Sequence, residues 1–178
     1  MKEIVPENVF KTYIEKKANN YDEYISFRKI FAYQYGAIMA LNYILSVDAN
    51  LYQYIIDLRS GSIPIFDFRL NTNPSKISPF SVRLSRNILA FITKTYINAG
   101  VLPAMVATAD AFSNEDLMMN EYLSCIYEDL PQSAKEKVDF QSRILDLKNN
   151  FGKVRKILEL AEQIGNQNDV PYQLKHWF

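Results

Sequence analysis

The chain has 178 residues, with 20 basic and 20 acidic side chains, so it is long enough for one domain and has no global electrostatic pull toward nucleic acid or an anionic membrane. An apolar content of 48%, with 12 Tyr and 11 Phe, is enough to build a core and excludes a disordered chain. A single cysteine, Cys125, excludes an internal disulfide or a thiolate cluster, and a single histidine, His176, leaves any metal site resting on carboxylates.

Residues 6–18, PENVFKTYIEKKA, read as a helix with Pro6 in its first turn and Val9, Phe10, Tyr13 and Ile14 on one face. After a polar break, NNYDEY, the longest periodic run covers about 22–45, with Phe27, Phe31, Tyr35, Ile38 and Met39 at helical spacing. Gly36 inside it lowers helix propensity by about 1 kcal/mol, which points to a close packing contact there. The short pairs Lys16-Lys17 and Arg28-Lys29 read as solvated helix faces.

The period then changes. LYQYIIDLRSGSIPIFDFRL gives two short β-rich runs around Ser60-Gly61, which predicts a hairpin with strands at 52–57 and 63–68. Pro64 cannot donate to a ladder, so its strand is an edge or starts late. An isolated hairpin is marginal, so it needs a helical core beneath it and something above it.

From about 84 helices return. LSRNILAFITKTYI places Leu84, Ile88, Phe91, Ile92 and Thr95 on one side, and Asn98-Ala99-Gly100 predicts its end. VLPAMVATADAF groups Leu102, Met105, Val106 and Ala109, with small residues on its other side. NEDLMMNEYLSCIYEDL carries Met119, Tyr122, Leu123, Ile126 and Leu130, and Cys125 within it reads as a packed helical cysteine. SAKE, Ser133 to Glu136, is a candidate capping box opening a charged helix to about 149 with the stripe Val138, Ile144 and Leu145. GKVRKILELAEQI is a last helix with Val154, Ile157, Leu158 and Ala161 on one face, followed by an aromatic tail. The predicted fold is therefore mainly α with a small embedded β-hairpin. No apolar run reaches membrane-span length, and MKEIVPENVFK lacks the pattern of a signal peptide, so a reducing compartment, cytosol or nucleus, is expected.

No Gly-rich phosphate loop, HExxH, GxSxG or Walker pattern is present. Asp48, Asp57 and Asp67 are the acids that the hairpin would bring together. A carboxylate between Phe66 and Phe68 is expensive to bury unless it is paired or bound to a metal. Phosphoryl transfer needs a metal-holding acid, a second ligand, a base and a phosphate clamp, and these residues supply acids and little else.

The span YILSVDANLYQYIIDLRSGSIPIFDFRL, Tyr43 to Leu70, resembles the catalytic-loop-to-metal-loop hairpin of phosphatidylinositol-3-kinase-related kinases, which reads YILGLGDRH and then LSGKILHIDFG. Ser60-Gly61 falls on the family's Ser-Gly turn, Asp67-Phe68 on its metal-binding Asp-Phe, and Asp48 on its catalytic Asp. Asn50 stands where the catalytic His would be, Gln53 where the metal-binding Asn would be, and Arg69 where a glycine follows Asp-Phe. Gln is longer than Asn by a methylene, and Arg69 puts a cation beside the acid that would hold a metal. DEYISFRKIFAYQYGAIMALNYIL, IFDFRL, SPFSVRLSRNILAFIT and AGVLPAMVATADAF resemble the pseudokinase branch of that family, the transformation/transcription-domain-associated scaffolds. The tail, with Tyr172, Leu174, His176, Trp177 and Phe178 as candidate protein contacts, looks like a FATC element.

This resemblance, over roughly 20–178, implies a pseudokinase C-lobe-like region at 1–150 and a FATC-like C-terminal element at 151–178. It also implies a non-enzymatic scaffold without cofactor or metal, in the nucleus, within a histone acetyltransferase coactivator complex. The implied partners are other subunits of a large chromatin complex and the remainder of the scaffold, including an N-lobe, with no direct contact to nucleic acid or membrane. Helix 134–149, the small-residue face of 101–112 and the tail 170–178 are the candidate contact elements. A divergent active kinase C-lobe using Asp48 and Asp67, or a small independent helical adaptor, are the alternatives.

Overall fold

The computed structural model describes residues 6–45, 56–63, 84–114, 119–128, 132, 139–148 and 150–167. Helices α1 (Val9–Lys17) and α2 (Tyr21–Leu45) come first, then α3 (Arg86–Tyr96), a π turn (Ile97–Val101) and α4 (Leu102–Phe112) in one continuous run. Helices α5 (Met119–Glu128), α6 (Phe140–Leu147) and α7 (Phe151–Gln167) follow. Among the described residues there is no strand. The predicted hairpin is thus not seen: residues 56–63 form a turn, and 52–55 and 64–68 lie outside the described residues.

Helix α2 is the centre of the fold, with α3, the π turn, α4 and α6 packed around it. The polar break before it is a start signal. Asn20 Oδ1 accepts from the Glu23 N–H at 2.8 Å, and Glu23 Oε2 reaches back to the Asn19 N–H at 2.7 Å, so the two satisfy orphan donors on opposite sides of the cap. Phe27, Phe31, Tyr35, Ile38 and Met39 are all buried, as their spacing predicts. Gly36 is the close contact: a Cβ there would lie 2.4 Å from the Val101 carbonyl oxygen and 2.9 Å from the Ala104 Cβ.

An aromatic knot joins α1, α2 and α3. The fully buried Phe91 ring meets Phe10 at 4.8 Å, Phe31 at 5.3 Å and Phe27 at 6.0 Å, each near edge-on, the favoured arrangement of ring quadrupoles.

The predicted stop at Asn98-Ala99-Gly100 is not a stop. Gly100 instead lets α2 approach, since a Cβ there would sit 3.1 Å from the Ala32 Cβ, and the chain widens into a π turn and continues. Pro103 falls within the first two residues of α4, directly after the π turn. The break lies earlier, at Thr93, with φ 62° and ψ 160°. This turns the face after Thr93, so Phe91 and Ile92 are buried while Thr95, predicted on the same side, is exposed. Taken end to end, Arg86–Phe112 is long and apolar enough to cross a membrane by length and composition, but its apolar face is packed against α2.

Further corrections follow the same logic. In α1 only Ile14 is buried and Phe10 partly so, while Val9 and Tyr13 remain largely exposed. Helix α6 begins after Asp139, whose carboxylate accepts from the Ser142 N–H at 3.0 Å, and the candidate cap at Ser133 lies outside the described residues. Its buried side is Phe140, Arg143, Ile144 and Leu147, so Leu145 points to solvent. Cys125 is exposed rather than packed. In α7 the predicted face holds: Val154, Ile157, Leu158 and Ala161 are all buried.

Candidate functional site

The positions Asp48, Asn50, Gln53, Asp67 and Arg69 lie outside the described residues, as do Tyr172, Leu174, His176, Trp177 and Phe178. What is described is the frame on either side of the candidate loop: the end of α2 and the turn at 56–63.

The end of α2 is held by a polar node. Arg143 on α6 donates to the Tyr43 carbonyl at 2.7 Å, placing a cation on one of the last carbonyls of α2, where the helix dipole favours it. The guanidinium carbon also sits 5.6 Å from the Tyr43 ring centroid. The Tyr43 hydroxyl donates to Asp146 Oδ2 at 3.0 Å, and Asp146 Oδ1 pairs with Lys153 on α7. Burial pushes the Tyr43 phenol up to about 12, with the Asp146 carboxylate adding to the shift and Arg143 opposing it. Burial likewise lowers the pKa of Arg143 from its ordinary value. Three helices therefore converge on the last turn before residue 46 and set its direction.

The turn is pinned from the other side. The Gly61 N–H donates to the Asp57 carbonyl at 2.8 Å and the Asp57 N–H to the Ser62 carbonyl at 2.9 Å. Gly61 has φ 76°, and a Cβ there would lie 2.7 Å from the Phe27 carbonyl oxygen, so both backbone and space require glycine. The Ile63 N–H donates to Gln34 Oε1 at 2.5 Å, tying the exit of the turn to α2.

Asp57, one of the three acids expected to converge, is exposed and serves the turn. Its carboxylate accepts from Ser60 Oγ at 2.6 Å and from the Arg59 N–H at 3.0 Å. The Ser60 hydroxyl, with the Arg59 amide, holds the Asp57 carboxyl below its usual value. Among the described residues no three His, Cys, Asp or Glu side chains gather where they could hold a metal ion.

Sequence reasoning missed Tyr43, Arg143, Asp146 and Gln34, because their partners lie up to 103 residues away. It also misread Arg28, which is no solvated residue. Arg28 donates to Thr93 Oγ1 at 2.9 Å and to the Ile92 carbonyl at 3.2 Å, and lies 4.7 Å from the Tyr96 ring centroid. A β-branched residue at positive φ is strained, and this clamp holds it. Lys16 and Lys17 are exposed, as expected.

No protein-family model matches the chain. It is 30% identical over 132 residues to the SAGA complex/NuA4 acetyltransferase complex subunit Tra1 of Schizosaccharomyces pombe, an alignment covering 70% of this chain and 4% of that relative. The chain thus spans a small fraction of the length of the curated protein it matches, and over that fraction it is Tra1-like.

Proposed function

We propose that this chain is a non-catalytic, kinase-like part of a large scaffold in a nuclear histone acetyltransferase coactivator complex, working through protein–protein contacts. The observation that carries this reading is the 30% identity over 132 residues to an acetyltransferase-complex subunit. The altered residues Asn50, Gln53 and Arg69 support a chain without phosphoryl transfer, since the family's catalytic histidine, a metal ligand and a flexible glycine are each replaced. The FATC-like tail at 151–178 and the C-lobe-like region at 1–150 belong to the same proposal.

Affinity purification of the tagged chain from its own cells tests the assembly. Acetyltransferase-complex subunits are expected to co-elute in fixed ratio, together with acetyltransferase activity on histones. A chain that elutes alone would sink the proposal. Calorimetric titration with ATP and magnesium tests the absence of catalysis. Tight magnesium-dependent binding that Asp67→Ala abolishes would instead mean an active nucleotide site.

A further inference from the structure

Helix α3, the residues just before α1 and the second half of α7 line an open groove of about 420 Å³. Its longest wall is α3, which contributes Arg86, Leu89, Ala90, Thr93 and Lys94. Glu7 and the α7 residue Glu162 complete the lining. Arg86 Nη1 lies 3.2 Å from Glu7 Oε1, so those two charges offset each other. Lys94 and Glu162 face the same groove but pair neither with each other nor with another described residue. The half-buried Leu89 and Ala90 give the wall an apolar strip between Arg86 and Lys94. Thr93 is a second, independent peculiarity of that wall. Among the described residues it is the only non-glycine at positive φ, and φ 62° with ψ 160° is a region that belongs almost wholly to glycine. An extended residue there interrupts the i→i−4 ladder of the helix, and Arg28 takes up the Ile92 carbonyl at the interruption. Strain of this kind gathers at ligand clamps and switch regions, where the surrounding structure enforces it. Here the Arg28 bond to Thr93 Oγ1 does so, and the strained residue falls on the groove.

We propose that this groove binds a short segment of a partner protein that carries one acidic and one basic side chain. The acid pairs with Lys94, the base pairs with Glu162, and an apolar side chain between them lies on Leu89 and Ala90. Charge complementarity selects this occupant. A nucleic acid backbone, an anionic lipid surface or a purely acidic peptide would meet Glu7 and Glu162, and a purely basic peptide would meet Arg86 and Lys94. The volume is that of a small-ligand site, but such sites are mostly apolar and enclose the ligand. A groove open to solvent, with charged side chains at several points of its lining, fits a segment lying across it better than an enclosed small molecule. The inference goes beyond the scaffold reading and does not depend on which assembly holds the chain.

The test is an NMR titration of the whole chain, labelled with nitrogen-15. The probes are end-capped peptides of one glutamate, one leucine and one lysine, in both orders. Matched peptides with two glutamates or two lysines are the controls, and free leucine stands for a small zwitterion. Exposed charge pairs contribute little, so binding is expected to be weak and to fade as salt rises. One order of the mixed peptide should shift the Ala90, Thr93 and Lys94 amides saturably, while the single-sign peptides and free leucine should not. Lys94→Glu and Glu162→Lys should each weaken binding about fivefold or more, through a lost attraction and a new repulsion. Reversal of the exposed Glu128 on α5, Glu128→Lys, should leave it unchanged. Absence of saturable shifts, binding that survives both groove reversals, or equal loss in Glu128→Lys would each overturn the proposal. Equal binding of a single-sign peptide or of free leucine would overturn it too, the latter by making the groove a small-molecule site. Should a reversal misfold, as judged by its own amide spectrum, the milder Lys94→Gln and Glu162→Gln decide: unchanged binding in both overturns the proposal. The titration contains no chromatin subunit, so its failure is distinct from failure of the scaffold assignment.

Discussion

Two parts of this molecule are built on opposite principles. Around α2, α3 and α4 the chain relies on apolar contact and small size: edge-on phenylalanines, and glycines where helices touch. At the two ends of the candidate loop it relies on polar contacts spanning long sequence distances, Arg143 to the Tyr43 carbonyl and Gln34 to the Ile63 amide. The first region makes the fold stable. The second determines where the loop leaves and re-enters, at far smaller energies.

The largest expected effect lies in the apolar region. Phe91→Ala removes the ring shared by Phe10, Phe27 and Phe31 and should cost about 3–5 kcal/mol in urea unfolding. A loss below 1 kcal/mol would mean that the knot collapses readily and is not the centre of the core. Next come the glycines, which sharpen the contrast within one residue type. Gly36→Ala forces a Cβ toward backbone at 2.4 Å and should destabilise by about 1–3 kcal/mol despite better helix propensity. Gly152→Ala, in α7, meets only the Asn150 side chain at 3.6 Å and should be neutral or stabilising by about 0.5–1 kcal/mol. Equal effects at the two sites would refute the close-approach account of Gly36.

What could be read from sequence divides along the same line. Periodicity located α2 and the buried face of α7, because a helix in a core repeats its apolar residues locally. It even located Gly36, because a glycine inside a strong helix needs a reason. It failed wherever a distant partner decided the outcome. Gly100 read as a terminator because its role depends on Ala32. Arg28 read as solvated because its partners are Thr93 and Tyr96. Leu145 read as core because helix α6 starts at Phe140 and buries a face with Arg143 in it. For the candidate site, Ser60-Gly61 correctly marked the turn, while the node that holds its other side was invisible: a Tyr, an Arg and an Asp carry no local pattern. Asp48, Asp67 and the tail lie outside the described residues.

The polar node offers a smaller and differently shaped effect. Tyr43→Phe removes the hydroxyl bonded to Asp146 and should cost about 0.5–1.5 kcal/mol at neutral pH. Its signature is in alkali. The phenol is raised from 10 to about 12 in the folded state, so the native state holds that proton more tightly than the unfolded chain. The associated stability is complete below pH 10 and lost as pH rises through about 12. The difference in unfolding free energy between the wild type and Tyr43→Phe should therefore shrink across that window. A difference that stays constant would mean that the hydroxyl contributes through packing rather than through its proton.

The smallest effect belongs to Asp57, and it separates a turn acid from a site acid. Its carboxyl is held below the usual value by Ser60 and Arg59, so the folded state favours the ionised form. That contribution is present above the ordinary carboxylate range and lost as pH falls through the lowered value. Because the group is exposed, the global stability of Asp57→Ala should be nearly unchanged, and the change should be local. Hydrogen exchange at the Gly61 amide, which donates to the Asp57 carbonyl, should quicken in Asp57→Ala. In Asp57→Asn, whose amide oxygen still accepts from the Arg59 N–H, exchange should stay close to wild type. If both substitutions leave exchange untouched, the turn is held by Gly61 against Phe27 and by Gln34 alone. Asp57 would then be free of structural duty and again open to the chemistry that its place between Asp48 and Asp67 in the sequence suggests.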